Sequence, residues 1–156
     1  MDAVRADLAK RPVEGEDGTG SDKDILDLLA RYGITPSGVT LWGTGRPLRE
    51  FLWSEEMADA CVYIMEHVDF DDLRDETNEV RNCHINIGTG KEIAIRELAQ
   101  LVARTAGYRG TLAFDASKPD GTMRKLTDVS KLHALGWHHR VEIDEGVERM
   151  YRWYLQ

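Results

Sequence analysis

The sequence predicts an α/β protein: a small satellite domain with few short strands and several helices, without a complete doubly wound sheet. Three observations predict it. From residue 39 onward, short β-branched and aromatic runs alternate with segments whose apolar residues recur at helical spacing. The strands are too short and too few for a full parallel sheet. The 156 residues are 42% hydrophobic and 31% charged, the balance of a globular chain. A chain of that length can hide roughly 70% of its unfolded surface, enough for a genuine core.

Residues 1–38 read differently from the rest. Residues 3–10 form a short charged helix, and the Gly- and acid-rich stretch 12–20 forms a loop. Ser21 with Asp24 makes a capping box for a helix whose apolar residues are Ile25, Leu28, Leu29 and Tyr32. Gly33 suits its C-terminal stop. The chain is accordingly divided into a helical insertion or linker over 1–38 and a larger domain over 39–156.

Residues 39–42 form a strand, 43–47 a turn and 48–53 a second extended piece. Ser54 caps a helix with Glu55 and Glu56 in its first turn and a stripe of Met57, Cys61, Ile64, Met65 and Val68. Residues 69–81 are a polar, acidic loop. Residues 83–87 are expected as a strand, 88–90 as a tight turn, and 95–106 as a helix with a stripe of Ile95, Leu98, Leu101 and Val102. A strand over 110–114 and a charged loop over 115–127 follow. A short helix over 130–135 stops at Gly136. The last helix opens at Glu142 or Asp144 and carries Ile143, Val147, Met150, Tyr151 and Tyr154 on one side.

Composition excludes several functions. Twenty basic against 28 acidic residues give a net charge of −8, which repels nucleic-acid backbones. No apolar run approaches the ~20 residues of a membrane span. No charged start followed by an apolar stretch marks a signal peptide. With two cysteines, Cys61 and Cys83, and no Cys-x-x-Cys or His-x-x-x-His, neither a disulfide scaffold nor a zinc site is expected. Both cysteines are expected to pack in the core, and the protein to be cytoplasmic and reduced. Gly-x-Gly-x-x-Gly, Gly-x-x-x-x-Gly-Lys-Ser/Thr and Tyr-x-x-x-Lys are all missing, so no catalytic centre is evident.

Three clusters could bind a ligand. Trp42-Gly43-Thr44-Gly45-Arg46-Pro47-Leu48-Arg49-Glu50-Phe51 combines close backbone approach, a flat aromatic face and an arginine fork suited to a diphosphate. On these residues alone, a hairpin turn with a core tryptophan and a surface arginine is the stronger reading. Residues 117–125 bring Lys118, Arg124 and Lys125 into an otherwise acidic chain around the turn Pro119-Asp120-Gly121. A phosphate-binding wall and a solvated loop are equally consistent with them. Asn86-Ile87-Gly88-Thr89-Gly90 looks like a phosphate loop but lacks the further glycine and the lysine, so a tight strand-to-helix connection is preferred. His138 and His139 are adjacent and do not converge on one metal.

Together, the runs VTLWGTGRPLREFLWSEEMADA, CHINIGTGKEIAIRELAQLVARTAGY and FDASKPDGTMRKLTDVSKLHALGW resemble the C-terminal half of the GDP-L-fucose synthases, a branch of the extended short-chain dehydrogenase/reductases. The resemblance covers residues 39–156. It implies a two-domain enzyme in which a Rossmann domain binds NADP and a smaller domain holds the GDP-sugar. The enzyme epimerises GDP-4-keto-6-deoxy-D-mannose and reduces it with NADPH to GDP-L-fucose. It implies a homodimer, with the catalytic and cofactor-binding residues in the portion this chain does not contain. The chain is therefore expected to be an inactive fragment. The resemblance carries over Trp42, Arg49, Asp120 and Lys125 as substrate contacts. Two positions depart from it. Trp53-Ser54-Glu55-Glu56 stands for His-Val-Asp-Asp, and Ala94 stands for a helix-capping threonine, a loss of about 1 kcal/mol. The alternatives are the substrate domain of another nucleotide-sugar epimerase or dehydratase, and a stand-alone, non-catalytic sugar-nucleotide-binding module.

Overall fold

The computed structural model describes residues 1–74 and 80–156. In chain order the elements are α1 (Asp2–Lys10), α2 (Asp22–Arg31), β1 (Ile34–Thr35), β2 (Gly38–Trp42), β3 (Leu48–Arg49), α3 (Ser54–His67), a 3-10 turn (Phe70–Leu73), β4 (Ile93–Ala94), α4 (Ile95–Thr105), β5 (Thr111–Asp115), α5 (Ser130–Ala134) and α6 (Ile143–Tyr154). The α/β class holds. The chain forms two compact units, one of Met1–Gly43 with Arg109–Pro119, the other of Thr44–Tyr108 with Asp120–Gln156. The sequence division at residue 38 runs through the first of these, just at the start of β2.

The first unit is built on a small apolar seam. Leu8 of α1 packs with Ile25 and Leu28 of α2, flanked by Val4 and Leu29. The expected capping box opens α2: Ser21 Oγ accepts the Asp24 N–H at 3.2 Å and Asp24 accepts the Ser21 N–H at 3.2 Å. Arg5 reaches out of α1 to the Gly18 and Gly20 carbonyls at 2.6 and 2.7 Å and so pins the Gly-rich loop. Gly33 follows α2 at φ +76, a conformation that costs other residues a steric penalty. The chain then enters a three-stranded sheet of order β1-β2-β5. β1 and β2 are antiparallel, and β2 and β5 are parallel in the register Val39↔Leu112 to Trp42↔Asp115.

The second unit has a core of Ala60, Leu132 and Trp137, with Leu52, Tyr63, Ile64, Ile85 and Ile87 packed on it. The Trp137 indole N–H donates to Asp59 at 2.9 Å, and the Tyr63 hydroxyl donates to the Leu135 carbonyl at 2.8 Å. Only part of the expected face of α3 turns inward: Ile64 packs on the core and Val68 is half-buried. Cys61 is exposed, as are Met57 and Met65, while Glu56 and Ala60 are buried. The reason is polar: Glu56 Oε1 accepts the Arg140 and Val141 amides at 2.5 and 3.1 Å, which rotates Glu56 inward and the methionines outward. Ser54, expected as the cap, is the first residue of α3, and Trp53 occupies the cap position with no side-chain bond.

Other expectations shift as well. The extended piece at 48–53 narrows to β3, paired antiparallel with β4 through Leu48↔Ala94 and Arg49↔Ile93. No strand forms over 83–87. The expected loop at 69–81 contains the 3-10 turn, and residues 75–79 of it lie outside the described residues. At α4 the Ala94 methyl cannot accept a hydrogen bond, as expected. Half of the capping box survives because the Ala94 N–H still donates to Glu97 at 3.1 Å.

Candidate functional site

The segment after β2 is held from several sides within the second unit. The first amides of α4 have no partner inside their own helix. Those of Ile95 and Arg96 donate to the Pro47 and Gly45 carbonyls at 3.0 and 2.9 Å. Arg96 Nη2 donates to the Thr44 carbonyl at 2.9 Å. The Leu48 N–H donates to Met123 at 2.8 Å, so β3 is joined to the loop that follows Asp120.

Arg49 sits in this frame, half-buried, at the end of β3. Its Nη1 donates to the Leu48 carbonyl at 2.7 Å. Its Nη2 lies 3.8 Å from where a β-carbon on Gly121 would stand, which places the guanidinium against the Asp120-Gly121 turn. The structure thus brings Arg49 and that turn together. Lys125, in the same unit, is exposed, and Arg124 beside it pairs with Glu92 at 2.8 Å. Trp42 belongs to the first unit. It is 72% exposed, not a core tryptophan, and the Lys118 ammonium sits 5.4 Å from its ring centre.

Asp120 has an occupation of its own. Its two oxygens accept the Thr44 N–H at 2.6 Å and the Thr44 hydroxyl at 2.7 Å. These bonds hold its carboxyl below the usual aspartate range, against a smaller opposing effect of desolvation. The residue closes the base of the loop that carries Lys125.

Glu50 lies in the first sequence cluster, which gave it no role. Its Oε1 accepts the Thr89 and Gly90 amides at 2.6 Å each and the Thr89 hydroxyl at 3.2 Å, while Oε2 accepts the Thr127 amide at 3.1 Å. Burial alone pushes this carboxyl up. Hydrogen bonds from Thr127, Gly90 and Thr89 more than reverse that and leave it below the ordinary glutamate range. The look-alike phosphate loop at 88–90 is therefore an anion nest whose anion is internal. Gly88 belongs to the same arrangement: a β-carbon there would stand 2.6 Å from Glu50 Oε1.

An apolar groove lies on the same unit, lined by Phe51, Trp53, Leu98, Ile143, Val147 and Met150, with a volume of about 210 Å³. His138 stacks on His133 with ring centres 4.3 Å apart. Among the described residues no three His, Cys, Asp or Glu side chains converge as a metal ion would require.

Comparison with known proteins gives this arrangement a lineage. The model of the NAD dependent epimerase/dehydratase family matches residues 12–88. The GDP-L-fucose synthase of Escherichia coli K12 is 47% identical over 118 residues, 76% of this chain and 36% of that one. The chain belongs to the epimerase/dehydratase family. It spans about a third of the length of the curated relatives it matches. Two solved structures from Campylobacter jejuni cover nearly all of it. A GDP-6-OMe-4-keto-L-xylo-heptose reductase is 37% identical with a TM-score of 0.87, over 99% of this chain and 42% of that one. A GDP-mannoheptose C4 reductase with NADP bound is 35% identical with a TM-score of 0.82, over 100% and 41%.

The turn at 88–90 does not fit the phosphate of a dinucleotide. The one turn that looks like a phosphate loop has its Thr89 and Gly90 amides bonded to Glu50, so they are not offered to a cofactor phosphate. No helix among the described residues is long and apolar enough to cross a membrane.

Proposed function

We propose that the chain is the GDP-sugar-binding portion of an NADP-dependent GDP-L-fucose synthase, which converts GDP-4-keto-6-deoxy-D-mannose to GDP-L-fucose. The observation that carries this reading is the 47% identity to the Escherichia coli enzyme, across a segment that includes the arginine-bearing strand. Arg49 supplies the diphosphate fork. Lys125 adds charge from the adjoining loop, and Asp120 shapes that loop. NADP binding and the chemical steps belong to residues outside this chain. The chain alone turns nothing over, the complete enzyme is a cytoplasmic homodimer, and neither nucleic acid nor membrane is a partner.

A second reading has its own support. The GDP-heptose reductase structures match essentially the whole chain, including residues 1–38, whereas the fucose synthase match covers 76% of it. In that reading the same portion serves a GDP-heptose 4-keto reductase, and the diphosphate contact at Arg49 is unchanged.

Calorimetric titration of the chain with GDP-L-fucose, a GDP-heptose and UDP-glucose tests both. The first reading expects GDP-L-fucose to bind most tightly. Tighter binding of the heptose selects the second, and equal binding of UDP-glucose overturns both.

A further inference from the structure

The Glu50 carboxylate sits at the meeting point of three segments: its own strand end, the turn at Thr89-Gly90 and the loop at Thr127. We propose that Glu50 is a positioning residue that holds Arg49 in place for the diphosphate of a GDP-sugar. The proposal rests on the reading of Arg49 as the diphosphate contact.

Successive side chains of an extended segment point to opposite faces. Anchoring Glu50 on one face therefore sets the direction of Arg49 on the other. The anchoring is needed because β3 is two residues long and has only β4 as its ladder partner. Four donors reach the carboxylate, three of them backbone amides at 2.6, 2.6 and 3.1 Å. Charge-assisted bonds of this kind are the strong ones. Gly88 fits the same account. Its backbone is not in the left-handed region, so glycine is not required there for conformation. It is required for room, since a β-carbon would stand 2.6 Å from Glu50 Oε1 and 3.0 Å from its carboxyl carbon. On the other face, Arg49 meets the Leu48 carbonyl and the Gly121 turn. The guanidinium is thus set between the loop that Asp120 closes and a strand end that Glu50 fixes.

The test uses two variants that disturb the carboxylate independently. Glu50→Gln replaces one acceptor with an amide NH2, which faces either the Thr127 donor or the paired donors at 89–90. Gly88→Ala leaves Glu50 intact and pushes its carboxylate out of the nest. The Arg49 Nε–H signal is followed by NMR, and GDP affinity is measured with and without Arg49→Ala. Each single variant is expected to average the Arg49 Nε–H signal and to raise the Kd for GDP about tenfold, the scale of disturbing one charge-assisted contact. In the Arg49→Ala background neither should change Kd further. Glu50→Asp should restore part of the affinity. An Arg49 signal unmoved in both variants overturns the proposal. So does a loss of GDP affinity that persists undiminished without Arg49, because Glu50 would then act on the fold alone. If the unaltered chain binds no GDP, the GDP-sugar reading fails, and the Arg49 signal still decides whether Glu50 positions it. Should Glu50→Gln not fold, Gly88→Ala carries the test.

Discussion

Leu132→Ala is expected to be among the most damaging single changes in the second unit. Leu132 is completely buried, between Ala60 and Trp137. Truncation removes three carbon groups, about 2.4 kcal/mol of transfer free energy at about 0.8 kcal/mol each. The cavity term comes on top, and its size depends on whether the surroundings can collapse. Here they are held. Trp137 is fixed by its bond to Asp59 at 2.9 Å, and Tyr63 by its bond to the Leu135 carbonyl at 2.8 Å. The hole therefore stays largely open, and the expected loss is about 3–4 kcal/mol. Against a typical stability of about 5–15 kcal/mol that is a large fraction. Urea unfolding followed by tryptophan fluorescence reads it directly, since Trp137 lines the site. The midpoint should fall with an unchanged slope. A loss below about 1 kcal/mol would mean that the pocket collapses freely and that the two hydrogen bonds do not hold its walls.

Trp42→Ala should behave oppositely. The ring is 72% exposed and its described partner is the Lys118 ammonium, so thermal unfolding should register no more than about 1 kcal/mol. A cost of about 3–5 kcal/mol, as for a core tryptophan, would refute the exposed placement. The pH dependence follows from Glu50. Its carboxyl is lower in the folded state than the ordinary value of 4.5, so the folded state binds fewer protons. Its contribution is complete above that value and is lost as pH falls through the lowered folded value. The stability difference between the protein and Glu50→Gln, measured by urea unfolding, should be constant from neutral pH down to the ordinary value and shrink below it. A difference that grows on acidification would reverse the sign of the argument.

Local signals in the sequence read well. The Ser21 and Asp24 spacing marks the start of α2, Gly33 marks its stop, and the period of Ile95, Leu98 and Leu101 marks α4. What failed needed distant partners. Residues 83–87 have strand composition, but a ladder requires a neighbouring strand, and the described residues supply none. The two-residue strands β1 and β4 exist only through what they pair with. On α3, Ile64 turns inward as its spacing implies, but Met57 and Met65 do not: hydrophobicity ranks them above Glu56, and the amides of Arg140 and Val141 that reverse the ranking come some 84 residues later. Arg49 was legible as a donor fork. Glu50 was not, because its role depends on a turn 39 residues away.

The central claim is that Arg49 holds the diphosphate of a GDP-linked ligand. Titration calorimetry of GDP into the protein and into Arg49→Ala tests it most directly. Removing one partner of a charged, hydrogen-bonded pair should cost about 2–4 kcal/mol, a rise in Kd of roughly thirtyfold or more. Arg49→Lys should recover only part of it, because an ammonium lacks the planar fork. An unchanged Kd in Arg49→Ala would contradict the account.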